Sequence, residues 1–201
     1  MAKLMEHESI MNKDTPIHAF GRGSTLTETT LSLGVLVSFL ATGDETGGRF
    51  CVMEVQANQG VEAPPHVHDY ENEYLYVLEG EIDYYCEDKI LNAKAGQGVF
   101  LPQGRPHGPI IRSAYLRAIA LVYASGEHPV GVDRFFLQTG TPAQSLVLPD
   151  TVTSPGSVGM EQLSQIAAST GVRMLSLEEV VEQLPLYPGL KDRSNTAEDH
   201  A

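Results

Sequence analysis

The sequence contains no tryptophan, only two cysteines and half as many basic as acidic residues. Its 13 Lys and Arg stand against 26 Asp and Glu, which gives a formal net charge of -13. Because such a chain repels phosphate backbones, we expect no nucleic-acid partner. Cys51 and Cys86 are too few for a disulfide framework, and we expect two buried thiols in a reducing compartment.

Long apolar runs are also missing. The most apolar stretch, residues 31–41, is far shorter than the ~20 residues that a membrane span needs. Residues 1–14 mix Lys, Glu and Asp with isolated apolar residues, so they lack the continuous apolar core of a signal peptide. We therefore expect a cytoplasmic protein with no membrane partner.

Short β-rich runs, broken by Gly, Pro, Asn and Asp, dominate the middle of the chain. They cover residues 31–40, 50–56, 73–78, 81–86, 98–101 and 114–123. Many short strands at even spacing predict a mainly β sandwich or barrel. The length of 201 residues fits a single domain. We divide it into an N-terminal arm over residues 1–26, a barrel over residues 27–150 and a C-terminal extension over residues 151–201.

The C-terminal extension has helical signals. Residues 160–169 carry apolar side chains at helical spacing, and Gly171 is a suitable C-terminal stop. Ser176, with Glu179 three residues later, fits a capping box that opens a second helix as far as Leu184. We expect these helices to pack on the outside of the barrel or to close one end. Residues 137–157 are predicted to be loop, and the tail from residue 191 to be disordered.

Three of the seven histidines form a pattern with Glu73. His66 and His68 are two residues apart, so on a strand their side chains point to the same face. Glu73 opens the next run and can join them if its strand is a neighbour, while His107 precedes a later run. Three imidazoles and one carboxylate suit Fe, Mn, Co, Ni, Cu or Zn better than Ca or Mg. The alternative for the His-Val-His segment alone is a solvated strand face.

The remaining four histidines lie in predicted tails or in loops without ligand-like neighbours. We predict that they are solvated surface residues: His7, His18, His128 and His200.

Two segments resemble the conserved motifs of the cupins. Residues 60–80 resemble the first motif, with both histidines, Glu73 and a closing Gly80, and residues 96–107 resemble the second, ending in His107. The final Asn of the second motif is replaced by Ile111. The resemblance implies a double-stranded β-helix, or jelly-roll, barrel. It also implies that the matching His, His, Glu and His positions bind one metal ion.

Two further segments, residues 70–74 and residues 131–143, are similar to quercetinases, the flavonol dioxygenases, and the single barrel is like the bacterial one-cupin enzymes. The resemblance implies that the chain opens the heterocyclic ring of a quercetin-type flavonol with O2 and releases CO. It points to nickel first or cobalt, with Mn, Fe and Cu as alternatives. Glu73 would ligate the metal and accept the proton of the flavonol 3-hydroxyl as general base. Glu71 is the second choice for the carboxylate.

The pKa of Glu73 can be raised by the apolar barrel or lowered by the cation, and the sequence leaves both directions open. A flat polyphenol needs an apolar slot. Strand parity and position suggest these lining residues: Met53, Leu75, Val77, Phe100, Ile119, Phe135 and Phe136. Tyr74 and Tyr76 alternate with them and are expected outside the barrel or at a subunit interface, and we expect a homodimer.

Fold alone does not fix function, so other readings stay open. The chain is alternatively a metal-dependent cupin oxygenase of another enolisable substrate, such as a diketone. It is alternatively a small-ligand-binding cupin without activity, or a zinc-dependent hydrolase or isomerase.

Overall fold

A computed structural model of the chain describes residue 20, residues 23–149 and residues 159–188. Most of the predicted N-terminal arm lies outside the described residues. So do residues 150–157 of the predicted loop, the predicted disordered tail, His7, His18 and His200.

The described chain is a succession of short strands followed by helices. The strands are β1 Thr29–Ser32, β2 Val35–Ala41, β3 Phe50–Asn58, β4 His66–His68, β5 Glu71–Glu79, β6 Glu81–Cys86, β7 Lys89–Lys94, β8 Gly98–Leu101, β9 Gly108–Ile111, β10 Tyr115–Ala124, β11 Thr141–Pro142 and β12 Val172–Met174. The helices are α1 Val132–Thr139, α2 Met160–Ser169 and α3 Leu177–Gln183, and a single 3-10 turn spans Leu26–Glu28.

Antiparallel sheets enclose the core. One sheet has the strand order β11-β1-β2-β3-β10-β5-β8, and a second has the order β7-β6-β9. A third, two-stranded sheet consists of β12 and β4. It joins the second sheet where His66 pairs with His107, the residue directly before β9. The mainly β fold predicted from the sequence is confirmed.

The core side chains come from alternate residues of the strands. On β10, Leu116, Ala118, Ala120 and Val122 are buried, whereas the residues between them are partly exposed. This period of two is what a strand with one face on the core requires. Tyr74 and Tyr76 are both 38% exposed on β5, so their predicted position outside the barrel is confirmed.

The first predicted run is wrong in one respect. Residues 31–40 do not form one strand, because Leu33 and Gly34 take positive φ angles of 52° and 89° and turn β1 back onto β2. The sequence gives little warning, since Leu33 is a poor residue for a left-handed turn. Helix α1 was also not predicted, and its residues 137–139 contradict the expected loop over residues 137–157.

The two predicted C-terminal helices are confirmed. Helix α2 has the bounds expected from its pattern and is followed by Gly171 at φ 81°. Helix α3 starts at a capping box in which Ser176 and Glu179 bond each other's backbone N–H. Strand β12, which was not predicted, lies between them and pairs with β4. In the part of the chain that the structure describes, no helix is long and apolar enough to span a membrane.

The turn at Gly80 offers a direct test of the barrel's packing. Gly80 has φ 90°, and a Cβ there would collide with the Tyr115 carbonyl oxygen, whereas Gly96 has φ 87° and open space around it. Gly96→Ala is expected to cost about 1 kcal/mol for conformation alone. Gly80→Ala is expected to cost ~1–3 kcal/mol more because of the clash. Urea denaturation measures both, and equal losses would contradict the packing described.

Candidate metal centre

The structure brings His66, His68, Glu73 and His107 together inside the barrel. One ligand atom from each residue lies within 4.8 Å of all the others. The histidines are 8%, 3% and 1% exposed in chain order, so the cluster faces the interior and not bulk solvent. The convergence of the four side chains agrees with the sequence analysis, while metal binding itself stays a prediction.

Backbone pairing holds two distant parts of the chain at this point. The His66 N–H donates to the His107 carbonyl oxygen at 2.9 Å, and the His107 N–H donates back to His66 at 3.0 Å. The Gly104 N–H donates to the His68 carbonyl oxygen at 2.9 Å. The second motif is therefore fixed on the first by main-chain hydrogen bonds, which do not depend on a bound ion.

Glu73 reaches the histidines from the opposite sheet. The sequence analysis made its approach conditional on β5 being a neighbour of the histidine strand, but β5 pairs with β10 and β8, and β4 pairs with β12. The carboxylate crosses the barrel interior instead. Its Oε2 lies 3.4 Å from Nε2 of His68 and 4.0 Å from Nε2 of His107.

Each imidazole is oriented through its Nδ1 atom. Nδ1 of His66 lies 2.8 Å from the Pro64 carbonyl oxygen, and Nδ1 of His107 lies 3.0 Å from the Arg105 carbonyl oxygen. Nδ1 of His68 lies 2.7 Å from Oε2 of Glu71. Since all three acceptors require a proton on Nδ1, each ring is oriented so that its Nε2 is directed into the cluster.

The electrostatics of the cluster favour neutral donors at two positions. Burial lowers the pKa of His66 well below its usual value, and the nearby His107 and His68 lower it further. Burial lowers the pKa of His107 to about 4. Burial also acts against a charge on His68, but its hydrogen bonds to Glu71 and Glu73 outweigh this and raise the pKa to about 9.

The pKa of Glu73 is lowered, a direction that the sequence left open. Burial beside Leu101 and Val122, its partners on the neighbouring strands, raises the pKa. The hydrogen bond and charge of His68 prevail and bring the pKa to about 2. Glu73 is therefore a carboxylate at neutral pH.

The donor set fits a transition-metal cation. Nε2 of His107 is buried and has no hydrogen-bond partner among the described residues. A buried polar atom of this kind is costly unless something binds it. Three imidazole Nε2 atoms and one carboxylate oxygen are ligands that Ni, Co, Fe, Mn, Cu or Zn accept, so the residues present fit such an ion.

Tyr84 is a neighbour of the cluster that the sequence analysis missed. It is 5% exposed on β6, and its hydroxyl lies 3.5 Å from Oε1 of Glu73. Burial raises the pKa of this phenol well above its usual value, and the charge of Glu73 raises it further, so it stays a donor. The sequence did contain a signal for this position. Tyr84 lies two residues after the apolar Ile82, so on a strand both side chains point to the same, buried face.

Glu71 does not occupy the position of the cluster carboxylate, for which it was the second choice. It is outside the cluster of candidate ligands, and its carboxylate lies behind His68, on the side of Nδ1. Glu73 is therefore the carboxylate in the cluster, and Glu71 is an outer partner of a ligand.

The predicted lining residues divide into two groups. Five contribute to the core: Met53, Leu75, Val77 and Phe135 are buried, and Phe136 packs against them partly buried. The prediction is wrong for Phe100, which is 48% exposed between the buried Val99 and Leu101. It is wrong for Ile119 as well, because Ala118 and Ala120 on either side point inwards.

The cysteines are both free thiols. Cys51 is buried, whereas Cys86 is only partly buried, which corrects the expectation of two buried thiols. Burial raises the pKa of Cys51, and the nearby carboxylates of Asp133 and Glu71 raise it further, so it is an unreactive thiol. His128 is exposed and stacks on Tyr70, with the two ring centroids 4.0 Å apart. It is not part of the candidate ligand cluster.

Residues 52–122 match the family model described as "Cupin domain". The fold of this region is that of a cupin domain. The matched region includes all four residues of the cluster and the barrel strands from β3 to β10. Comparison with curated proteins found no match.

Solved structures of the same fold are distant in sequence. The Cnp3 cupin domain of Schizosaccharomyces pombe is 15% identical, covers 51% of this chain and 74% of its own, and has a TM-score of 0.44. KdgF from Halomonas sp. is 19% identical, with 47% and 82% covered and a TM-score of 0.41. A predicted oxalate decarboxylase from Thermotoga maritima is 22% identical, with 45% and 81% covered and a TM-score of 0.43. These likenesses carry no information on the activity of this chain.

His68→Ala is expected to reduce metal affinity by more than the roughly 10–100-fold that loss of an outer partner costs. The physical reason is the loss of an Nε2 donor from the cluster. Metal content after loading with Ni2+ and desalting, read by atomic emission, measures the effect. His128→Ala, at the exposed histidine, is the matched control, and full metal occupancy in His68→Ala would remove His68 from the ligand set.

Proposed function

We propose that this cupin is a metal-dependent dioxygenase that cleaves the heterocyclic ring of quercetin-type flavonols with O2 and releases CO. The observation that carries the proposal is the cluster itself: three imidazole Nε2 atoms and one carboxylate meet in the barrel interior within 4.8 Å. Such a set binds a redox-capable or Lewis-acidic cation and leaves positions for other molecules.

The sequence segments similar to quercetinases support the choice of substrate. Residues 70–74 cover the start of β5 and include both Glu71 and Glu73, and residues 131–143 contain α1 and β11. These segments are far apart in the chain but touch, because Glu71 accepts hydrogen bonds from the Gly131 and Val132 N–H groups. The resemblance thus involves one contiguous part of the molecule, directly beside His68.

A cation held by these residues would supply Lewis acidity toward an enolic hydroxyl. We propose nickel first, with cobalt, manganese, iron or copper as alternatives that the ligand set also accepts. His66, His68 and His107 would hold the ion, and Glu73 would complete the set.

Glu73 has the properties of a proton acceptor for the flavonol 3-hydroxyl. It is a carboxylate at neutral pH, and its partners on the neighbouring strands, Leu101 and Val122, are apolar. With a pKa of about 2 it is a weak base, so it takes the proton only from a hydroxyl whose acidity is raised on binding. The Tyr84 hydroxyl, 3.5 Å from Oε1, is placed to hold the carboxylate in position.

The choice of an apolar, planar substrate draws on the apolar side chains of the core. Met53, Leu75 and Val77 face the same core as the cluster, and all are at most 4% exposed. Phe135 and Phe136 of α1 lie edge to face, 5.4 Å apart, and pack on this core. Aromatic and aliphatic surfaces with few convergent polar groups are typical of sites for flat aromatic ligands.

The deciding experiment is metal analysis of the purified protein followed by incubation with quercetin under air. We expect loss of the flavonol absorbance together with one CO per flavonol consumed. Turnover of a diketone without action on quercetin would favour an oxygenase of another enolisable substrate. Metal binding without turnover of either compound would favour a binding protein. The predicted homodimer stays a prediction, which the molar mass in solution tests.

Glu73→Gln is expected to lower kcat with quercetin by about 10²–10⁴-fold, the usual contribution of a general base. Metal content is expected to fall much less, since the three imidazoles remain. Steady-state kinetics and metal analysis of the same preparation measure both quantities. Glu79→Gln, an exposed change on the same strand, is the control. Equal activity in wild type and Glu73→Gln would remove Glu73 from the mechanism.

Tyr84→Phe is expected to lower kcat by about tenfold, the worth of one buried hydrogen bond, with metal content unchanged. Tyr85→Phe is the matched control, because Tyr85 follows on the same strand and its hydroxyl accepts from Arg112 instead. A loss of kcat that is the same in both variants would show that the contact between Tyr84 and Glu73 has no part in turnover.

A further inference from the structure

Glu71 connects the candidate metal centre to helix α1. The side chain is 1% exposed, and both of its carboxylate oxygens are engaged. Oε2 lies 2.7 Å from Nδ1 of His68. Oε1 accepts from the Gly131 N–H at 2.5 Å and from the Val132 N–H at 3.1 Å. These two N–H groups belong to the first turn of α1, where Gly131 is the N-cap.

We propose that Glu71 is a positioning residue for the metal, which acts through His68 and is itself held by the N-terminus of α1. A carboxylate on Nδ1 fixes the imidazole tautomer and ring orientation and makes Nε2 a stronger donor. The free N–H groups and the positive end of the helix dipole stabilise the negative charge that this role requires. The proposal rests on the proposed metal site and not on the flavonol.

The surroundings of Gly131 show how closely α1 is set against the rest of the site. A Cβ at Gly131 would collide with the carbonyl oxygen of Thr170, the C-cap of α2. The residue after Thr170, Gly171, accepts a hydrogen bond from the Asp69 N–H at 2.8 Å, and β12 then pairs with the histidine strand. The donors for Glu71 are therefore placed by the same C-terminal segment that borders His66 and His68.

His68 differs from the other two histidines in this respect. His66 and His107 each face a backbone carbonyl oxygen of a residue two positions earlier. Among the three, only His68 has a side chain as the hydrogen-bond partner of its Nδ1. That partner, Glu71, lies on β5, whereas His68 lies on β4. Replacement of Glu71 consequently perturbs one ligand and leaves the orientation of the other two unchanged.

The test compares Glu71→Gln with Glu79→Gln, which removes the same charge from an exposed position on the same strand. In Glu71→Gln the amide NH2 must face either Nδ1–H of His68 or the N–H groups of α1, so one link is lost. We expect the affinity for Co2+, measured by competition with a chromophoric chelator, to fall by about 10–100-fold. We also expect the visible Co2+ spectrum to change, which a general loss of stability would not produce.

A second measurement on the wild-type protein covers the case in which Glu71→Gln fails to fold. In the Zn2+-loaded protein, the Nδ1–H proton of His68 is expected as a slowly exchanging, downfield NMR signal, shifted further than those of His66 and His107. A His68 signal no further downfield than theirs would overturn the proposal. So would a Co2+ affinity and spectrum of Glu71→Gln equal to those of Glu79→Gln. A wild type that binds neither ion would instead defeat the metal site and the proposed function together.

Discussion

The paired backbone hydrogen bonds between His66 and His107 are the contact on which the site depends. They bring together two segments that are distant in the chain, and they do so with groups that every residue except proline carries. Once the two backbones are in register, the period of two along β4 places His68 beside His66. Glu73 then needs only to point inwards from the opposite sheet, which its neighbours Leu101 and Val122 already do.

Because the imidazoles are buried, their orientation is determined by hydrogen bonds. A buried ring nitrogen without a partner is costly, and each Nδ1 here has an acceptor. His68 lies between two carboxylates, with Glu71 on Nδ1 and Glu73 near Nε2. That pair explains why its pKa is about 9 while burial brings the pKa of His107 to about 4. A cation at Nε2 of His68 competes with a proton for the same lone pair.

Sequence reasoning found what local chemistry determines. The bounds of α2 and the capping box of α3 follow from spacing and from turn-forming residues. The convergence of the four cluster residues was implied by the resemblance to cupins, because spacing alone relates only His66 and His68. Sequence reasoning failed where tertiary contacts decide. Residues 98–101 are apolar on both faces, so alternation alone could not show that Phe100 points outwards. On β10 the large Ile119 was predicted to point inwards, but the inward face is formed by the smaller Ala118 and Ala120. Strand β12 exists because β4 is its partner, a contact that no local pattern announces.

The predicted boundary between the barrel and the C-terminal extension, near residue 150, therefore marks a change in amino-acid composition. It does not separate two parts that lack mutual contacts. Strand β12 pairs with the histidine strand, and the ring of Tyr187 packs where a side chain on Gly108, next to His107, would otherwise be. Helix α1 supplies the hydrogen bonds that hold Glu71 against His68. Residues 27–150 alone would leave β4 without its partner β12, and Thr170 of the C-terminal segment lies directly against Gly131 at the start of α1. The C-terminal segment is therefore part of the site.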